Sequence, residues 1–237
     1  MNRLLVQAIA CAGLFAAAAP AVGALSYTYS GPAVTIPDND ASGRAFAFSL
    51  TDAATTIESL TVTVNISGGR NGDLYAFLSH NSGYTVLLNR TGRGVTTSGS
   101  TADGYANTGF AMTFSSSGAA NVHFYQNNSP AYNGSGQLTG TWQPDGRTID
   151  PEAGAASFDA GGSASFSSFI GQNPNGDWTL FFADMAALSE STVNGFSVDV
   201  IAAVPEPVNV ALAVFAGFGA LLGVWRHVQG RRDRERG

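Results

Sequence analysis

The chain has 237 residues, of which 44% are hydrophobic and only 12% are charged. This length and apolar content suffice for one sizeable domain with its own core, plus targeting segments. Between Leu25 and Ala203 the sequence holds 14 acidic residues against five arginines, and it has no lysine. Nucleic acid needs a cationic face, so this composition excludes it as a partner. The single cysteine, Cys11, lies in the N-terminal apolar run, so the rest of the chain has neither disulfides nor zinc–thiolate sites.

The N-terminus predicts a secretory signal peptide. Arg3 precedes an apolar run over residues 4–19, and Val22-Gly23-Ala24 supplies small residues for cleavage between Ala24 and Leu25. A positive charge, an apolar stretch and a small-residue site in this order are typical of exported proteins. We therefore expect signal peptidase to remove residues 1–24. The alternative is an uncleaved membrane anchor, for which the apolar run is short.

The next 180 or so residues repeatedly alternate apolar and polar side chains, with Gly, Asn and Ser clusters between the runs. In residues 60–66 Leu, Val and Ile alternate with Thr and Asn, which indicates a half-buried strand. The predicted strands, in chain order, are 44–50, 60–66, 74–78, 84–88, 110–114, 122–125, 138–142, 178–183 and 194–201. Long loops are expected at 91–107 and 144–168. The prediction is an all-β, jelly-roll-like β-sandwich over residues 25–203.

The C-terminus predicts a membrane helix with a defined orientation. An apolar stretch over residues 208–225 is long enough, at about 27 Å, to span the hydrocarbon of a bilayer. It is followed by a cluster of arginines: Arg226, Arg231, Arg232, Arg234 and Arg236. By the positive-inside rule the arginines stay in the cytoplasm and the main domain faces outward. A plain tail anchor is one interpretation of these features.

A second interpretation depends on the residues just before the helix, Val204, Pro205, Glu206 and Pro207. The order Pro-Glu-Pro, apolar helix and arginine cluster over residues 204–237 resembles the sorting tag of PEP-CTERM proteins. The resemblance implies a Gram-negative host that makes exopolysaccharide. It also implies recognition by an exosortase, removal of the helix, and release or attachment at the cell surface.

The predicted sandwich resembles the P domain (P/Homo B) that follows the catalytic domain of kexin-like and many bacterial subtilisin-type proteases. The similarity begins at residues 36–40 (Ile-Pro-Asp-Asn-Asp) and continues through 57–64 into 72–78 (Gly-Asp-Leu-Tyr-Ala-Phe-Leu). It ends with residues 169–184, which include Gly-Asp-Trp-Thr-Leu at 176–180, and a last strand at 195–200. In proteases this domain supports the folding and stability of its catalytic neighbour, so the resemblance implies a non-catalytic accessory role.

Calcium is the one cofactor that the sequence suggests. The segment 38–43, Asp-Asn-Asp-Ala-Ser-Gly, has the beginning of an oxygen-ligand calcium loop, although Ser49 stands where an EF-hand has its last glutamate. Three further aspartates flank strands matched to the P domain. The candidate ligands are Asp38, Asp40, Asp73, Asp177 and Asp184. The alternative is that these carboxylates accept hydrogen bonds from turn amides.

No catalytic motif stands out, since G-x-S-x-G, H-E-x-x-H and the P-loop are all absent from the sequence. His80 and His123 are the only histidines before the tail. We therefore expect no catalytic residues, and an exported, exosortase-sorted protein with a structural or binding role at the cell surface or in the exopolysaccharide matrix. Its partner would be exopolysaccharide or another surface protein. The alternatives are a cryptic hydrolase and a calcium-assisted glycan-binding module in which aromatic side chains stack on sugars. The aromatic candidates are Tyr27, Tyr29, Tyr84, Tyr105, Tyr125, Tyr132 and Trp142.

Overall fold

The computed structural model describes residues 21–81, 83–204, 215 and 217–219. Most of the predicted signal peptide and of the sorting tag therefore lies outside the described residues. Residues 215 and 217–219 are helical. Within the described residues, no helix combines the length and apolarity that crossing a membrane requires. The predicted span at 208–225 stays a prediction.

The described domain consists mainly of β-strands in two sheets. The strands are β1 Ala21–Tyr29, β2 Val34–Ile36, β3 Asp40–Leu50, β4 Thr56–Gly68, β5 Leu74–His80, β6 Gly83–Asn89, β7 Phe110–Ser115, β8 Leu138–Trp142, β9 Gly176–Asp184 and β10 Ser191–Val204. Three short 3₁₀ helices occur at Asn71–Asp73, Val122–Asn127 and Ala155–Asp159.

The larger sheet has the strand order β1-β10-β4-β7-β8, with β2 also paired to β10. Strands β10 and β4 pair antiparallel from Ser191 to Ala203, while β7 and β8 pair parallel. The smaller sheet has the order β3-β9-β5-β6, and its pairs are antiparallel. This arrangement confirms the prediction of an all-β, sandwich-like fold. A jelly-roll connectivity is a finer statement and stays a prediction.

The hydrophobic core lies between the two sheets because each strand turns alternate residues inward. Tyr27 of β1 stacks on Phe48 of β3 with ring centroids 4.2 Å apart, which joins the two sheets directly. Trp178 of β9 is fully buried, and its Nε1 donates to Pro174 O at 2.9 Å. Alternate residues of β4, β5 and β9 contribute to this core, and these side chains are all buried: Val62, Val64, Leu74, Leu78, Trp178 and Leu180.

One predicted strand is wrong. Residues 122–125 belong to the 3₁₀ helix Val122–Asn127, which Asn121 caps by accepting a hydrogen bond from His123 N at 2.8 Å. A segment of four residues is too short for its alternation of apolar and polar side chains to distinguish a strand from a short helical turn. The Asn121 cap stabilises the helical turn.

The first strand is not among those predicted from the sequence. Strand β1 starts at Ala21, four residues before the expected cleavage point. None of residues 21–24 is buried, and Leu25 is the first core residue, 6% exposed. Cleavage after Ala24 would therefore shorten β1 without removing a core side chain.

Candidate functional site

Four of the five candidate calcium ligands lie at one end of the smaller sheet. Asp184 is the last residue of β9, and it stands opposite Asp40 of β3 on one side and Leu74 of β5 on the other. Asp73 immediately precedes Leu74, and Asp38 lies in the turn before β3. The sequence therefore correctly predicted aspartates near strand ends, and the sheet brings these four to the same edge.

Asp177 lies elsewhere. It is at the opposite end of β9, seven residues or about 23 Å from Asp184 along the strand. Asp177 Oδ1 accepts a hydrogen bond from Ser49 Oγ at 2.5 Å. The structure therefore separates Asp177 from the other four candidates.

Two of the clustered carboxylates hold turns. Asp38 accepts hydrogen bonds from the backbone amides of Leu188 (2.9 Å) and Ser189 (3.4 Å). Asp40 Oδ1 accepts one from Ser42 N at 2.8 Å, and this bond lowers the Asp40 pKa. These contacts match the alternative interpretation in which the carboxylates cap turn amides.

Asp73 and Asp184 are buried and electrostatically coupled. Asp73 Oδ1 lies 3.6 Å from the Nη2 atom of Arg90, yet burial still raises the Asp73 pKa. Asp184 Oδ1 accepts a hydrogen bond from Ala186 N at 3.3 Å. Asp184 Oδ2 is buried and has no hydrogen-bond partner in the described part of the chain. Burial, reinforced by the charges of Asp73 and Asp38, raises the Asp184 pKa to about 7.

This acidic end has one feature of a cation site and lacks another. A buried carboxylate oxygen without a partner is costly unless a proton or a cation compensates its charge. Among residues 21–81 and 83–204, however, no three His, Cys, Asp or Glu side chains have the spacing that would hold a metal ion. The calcium assignments to Asp38, Asp40, Asp73, Asp177 and Asp184 stay predictions.

The two histidines that a hydrolase would have to use are both held by their neighbours. His123 is fully buried; its Nδ1 lies 2.6 Å from Asp145 Oδ2 and its Nε2 lies 2.9 Å from Arg93 O. Both ring nitrogens thus lie within hydrogen-bond distance of an oxygen atom of the chain, and among the described residues neither is paired with a serine hydroxyl, as a Ser-His-Asp arrangement requires.

His80 is held in a similar way. Its ring stacks on Trp178 at 4.0 Å, and its two nitrogens lie 2.9 Å from Asp177 O and 2.8 Å from Asn173 O. Asn81 Nδ2 also lies 2.9 Å from His80 Nε2. The described residues thus give His80 and His123 structural roles in joining loops to strands.

A group of aromatic side chains on the outer face of the smaller sheet was only partly recognised from the sequence. Tyr75 and Phe77 of β5, Tyr84 of β6 and Phe181 of β9 are partly exposed, whereas their strand neighbours Leu74, Ala76, Leu78, Leu180 and Phe182 are buried. Tyr84 was a candidate for sugar stacking, but Tyr75, Phe77 and Phe181 were not considered. A strand whose successive residues are all apolar, such as 74–78, must turn some of them outward, and this was the available signal. We call these four residues the aromatic platform.

The other tyrosines considered for sugar stacking have different positions. Tyr105 and Tyr125 are buried, and Trp142 is 4% exposed. Tyr27 and Tyr29 pack against the core. Tyr132, 40% exposed, lies in the loop before β8.

Comparison with known proteins identifies no family. No protein-family model and no curated protein matches the chain. Among solved structures, it is similar to the serine protease of Aeromonas sobria in complex with its chaperone ORF2. The identity is 13% and the TM-score 0.40, covering 78% of this chain and 27% of that one. The protease of Aeromonas sobria alone gives 13% identity and a TM-score of 0.39, with 78% and 28% coverage. The chain thus spans about a quarter of these proteins, and the resemblance to P domains stays a prediction.

Proposed function

We propose that this chain is an exported, exosortase-sorted protein whose P-domain-like sandwich has a non-catalytic, binding role at the cell surface or in the exopolysaccharide matrix. The observation that carries the proposal is where the core begins and ends. Among residues 21–81 and 83–204, its first buried residue is Leu25 and its last is Ala202. These limits coincide with the end of the predicted signal peptide and the start of the Pro-Glu-Pro tag, so both processing events would leave the core intact.

The positions of the histidines support a non-catalytic role. His80 and His123 are engaged through both ring nitrogens, and Asp145, the carboxylate beside His123, also binds Arg147 Nη1 at 2.9 Å. A general base must be able to reach the proton that it abstracts, and these two rings are occupied. The cryptic hydrolase is therefore the less favoured alternative.

One observation favours calcium-assisted binding as a second candidate. Asp184 Oδ2 is a hard oxygen atom, buried and without a hydrogen-bond partner among the described residues. The charges of Asp38 and Asp73 act on it, and calcium prefers such carboxylate oxygens. If calcium binds there, Asp184 Oδ2 would be the ligand atom contributed by this end of the sheet.

Processing tests the proposal directly. The chain is expressed in a Gram-negative, exosortase-containing host and in the same host without its exosortase, and the intact mass is measured in each cell fraction. We expect a mature form that starts near Leu25 and ends near Val204 in the first host alone. Replacing Pro205, Glu206 and Pro207 by alanine should abolish the C-terminal processing, whereas the control Glu190→Ala, at an exposed position in the domain, should not. A surface form that retains Arg231–Arg236 would contradict exosortase sorting.

A further inference from the structure

The aromatic platform is a preorganised surface. Phe77 lies at its centre, stacked on Phe181 with centroids 4.9 Å apart and planes 20° apart, and it contacts Tyr84 at 5.2 Å and Tyr75 at 6.1 Å. The Tyr75 and Tyr84 hydroxyl oxygens are 2.8 Å apart, so a hydrogen bond joins the two outer rings. Rings fixed in this way lose little conformational entropy when a ligand stacks on them.

A groove lined by hydroxyl groups adjoins the platform at Tyr84. It encloses about 210 Å³. Its lining includes Tyr84, Thr85 and Thr148, together with Ser163, Ser165, Ser167 and Ser168. Pockets for drug-sized ligands measure roughly 300–1,000 Å³, so this groove suits one residue of a longer chain. Serine and threonine hydroxyls both donate and accept hydrogen bonds, as sugar hydroxyls do.

Two acidic side chains lie beside the platform. Asp177 lies on the same face of β9, beyond Thr179 and four residues before Phe181. Asp150 is close enough to act on Tyr75: burial, the Tyr84 hydroxyl and the charge of Asp150 together raise the Tyr75 pKa. An acidic polymer would be repelled here, so the surface favours a neutral ligand.

The adjacent sheet edge does not suit an added peptide strand. Strand β6 ends the smaller sheet, but the backbone amides of Asp145 and Gly146 already donate to Leu87 O (3.1 Å) and Val86 O (2.9 Å). Strand addition needs free backbone groups at an edge, and these two carbonyls are occupied. The outer face, rather than this part of the edge, is the surface available for binding.

We propose that the aromatic platform and the adjoining groove bind a neutral polysaccharide, whose sugar rings stack on the platform while one residue lies in the groove. Sugar rings have apolar faces and hydroxyl edges, and the two parts of this surface match them respectively. Exposed aromatic patches with polar rims are typical of ligand-binding surfaces. This inference rests on the proposed function in one respect: export would bring the domain into contact with extracellular polysaccharide.

The test measures binding by the full chain, purified in a polyoxyethylene detergent that has no sugar headgroup. Titration calorimetry uses two neutral glucans, hydroxyethyl cellulose and pullulan, and one acidic polysaccharide, the polyuronate alginate. The variants are Tyr84→Ala and Thr148→Val, and the control is Tyr132→Ala, because Tyr132 and Tyr84 are each 40% exposed. We expect a neutral glucan to bind, Tyr84→Ala to weaken it by about tenfold or more, and Tyr132→Ala to change it by less than about twofold.

Thr148→Val keeps the side-chain shape and removes one groove hydroxyl, so it should weaken binding by several-fold without lowering the melting midpoint.

The proposal is wrong if neither neutral glucan binds, if alginate binds more tightly than the neutral glucans, or if Tyr84→Ala and Tyr132→Ala change the affinity equally. It is also wrong if Tyr84→Ala instead abolishes a concentration-dependent self-association, because a second copy of the chain would then cover the platform. Failure of this test leaves the processing result unaffected, so the two proposals fail independently.

Discussion

Asp184 couples the acidic end of the domain to pH, and Asp73, whose pKa burial also raises, acts in the same direction. The Asp184 carboxylate is fully buried at the end of β9, and burial raises its pKa to about 7 from an ordinary value of 3.8. Between these two values the folded domain keeps a proton that the unfolded chain has released. The contribution of Asp184 to the free energy of unfolding therefore falls as the pH rises from about 4 to about 7. Above pH 7 the carboxylate is ionised in both states, and the contribution no longer changes.

Asp184→Asn should remove the contribution of Asp184 to this pH dependence and leave that of Asp73. Asparagine has the same shape but no charge, so the variant should melt at a higher temperature than the wild type above pH 7 and at a similar temperature near pH 4. Melting midpoints measured from pH 4 to pH 8 test this. Asp177→Asn is the matched control, since Asp177 is exposed at the other end of the same strand, and it should follow the wild-type profile. An unchanged profile for Asp184→Asn would contradict the assignment.

The same pair of variants tests calcium. If the ion compensates Asp184, millimolar calcium at pH 7.5 should raise the wild-type midpoint, corresponding to about 2.7 kcal/mol at a hundred times the dissociation constant. Magnesium should do so far less because it prefers a smaller octahedral shell. Asp184→Asn should lose the shift and Asp177→Asn should keep it. If the melting midpoint of the wild type is the same in calcium and in a chelator, calcium does not bind at the acidic end. The carboxylates there would then only accept hydrogen bonds from turn amides.

Trp178 is the largest fully buried side chain among the described residues. Its ring is fully buried between His80 at 4.0 Å, Phe169 at 5.6 Å and Phe48 at 6.4 Å. Trp178→Ala should therefore lower the free energy of unfolding by about 3–5 kcal/mol, measured by urea denaturation. The control Tyr132→Ala, at an exposed position, should cost less than about 1 kcal/mol. Equal costs would show that the core is packed differently.

Secondary-structure elements differ in how far the sequence determines them. Strand β7 was predicted to within one residue and β8 to its exact bounds, because turn residues flank both segments. Strand β1 was missed because Ala21–Tyr29 begins inside a segment whose composition indicates a signal peptide. Strand β2 has only three residues, too few for alternation to be visible. The aromatic platform was not predicted either. A strand whose residues are all apolar shows no alternation, so its sequence does not indicate which face is exposed to solvent.

The misassigned helix Val122–Asn127 depends on contacts far along the chain. Asn121 caps it, and the same side chain donates from Nδ2 to Pro144 O at 3.0 Å and Asp145 O at 2.9 Å. Its Oδ1 also accepts, at 3.5 Å, from Arg147 Nη1. Local residues alone did not reveal these bonds, because the partners lie more than 20 positions away.

Asn121→Ala should lower the free energy of unfolding by about 2 kcal/mol or more, since it removes a cap and two further hydrogen bonds. Asn128 at the other end of the helix is exposed and donates to Phe124 O alone, so Asn128→Ala should cost less than about 1 kcal/mol. Urea denaturation of both variants measures the difference. If the two costs are equal, the contacts of Asn121 do not hold the helix to the 144–147 segment.

At the scale of the whole molecule, the two ends of the domain lie side by side. Strands β1 and β10 are neighbours in the larger sheet, Ser26 Oγ donates to Asp199 Oδ1 at 2.5 Å, and Gly23 lies against Val204. Both predicted processing points therefore belong to the same corner of the sandwich. Sequence patterns predicted the limits of the domain from its targeting segments, but they did not predict that these limits meet.

This position of β10 has a mechanical consequence if the chain is attached to the cell surface through its C-terminal end. A pull on Val204 acts along the axis of β10, which is enclosed by β1 on one side and β4 on the other. The backbone hydrogen bonds between antiparallel strands lie perpendicular to the strands, so the force loads the ladder from Ser191 to Ala203 in shear. Bonds loaded in shear share the force and fail together, whereas a strand peeled from an edge loses its bonds one at a time. If the domain also binds a polymer as proposed, drag on that polymer would load the β10 ladder in shear.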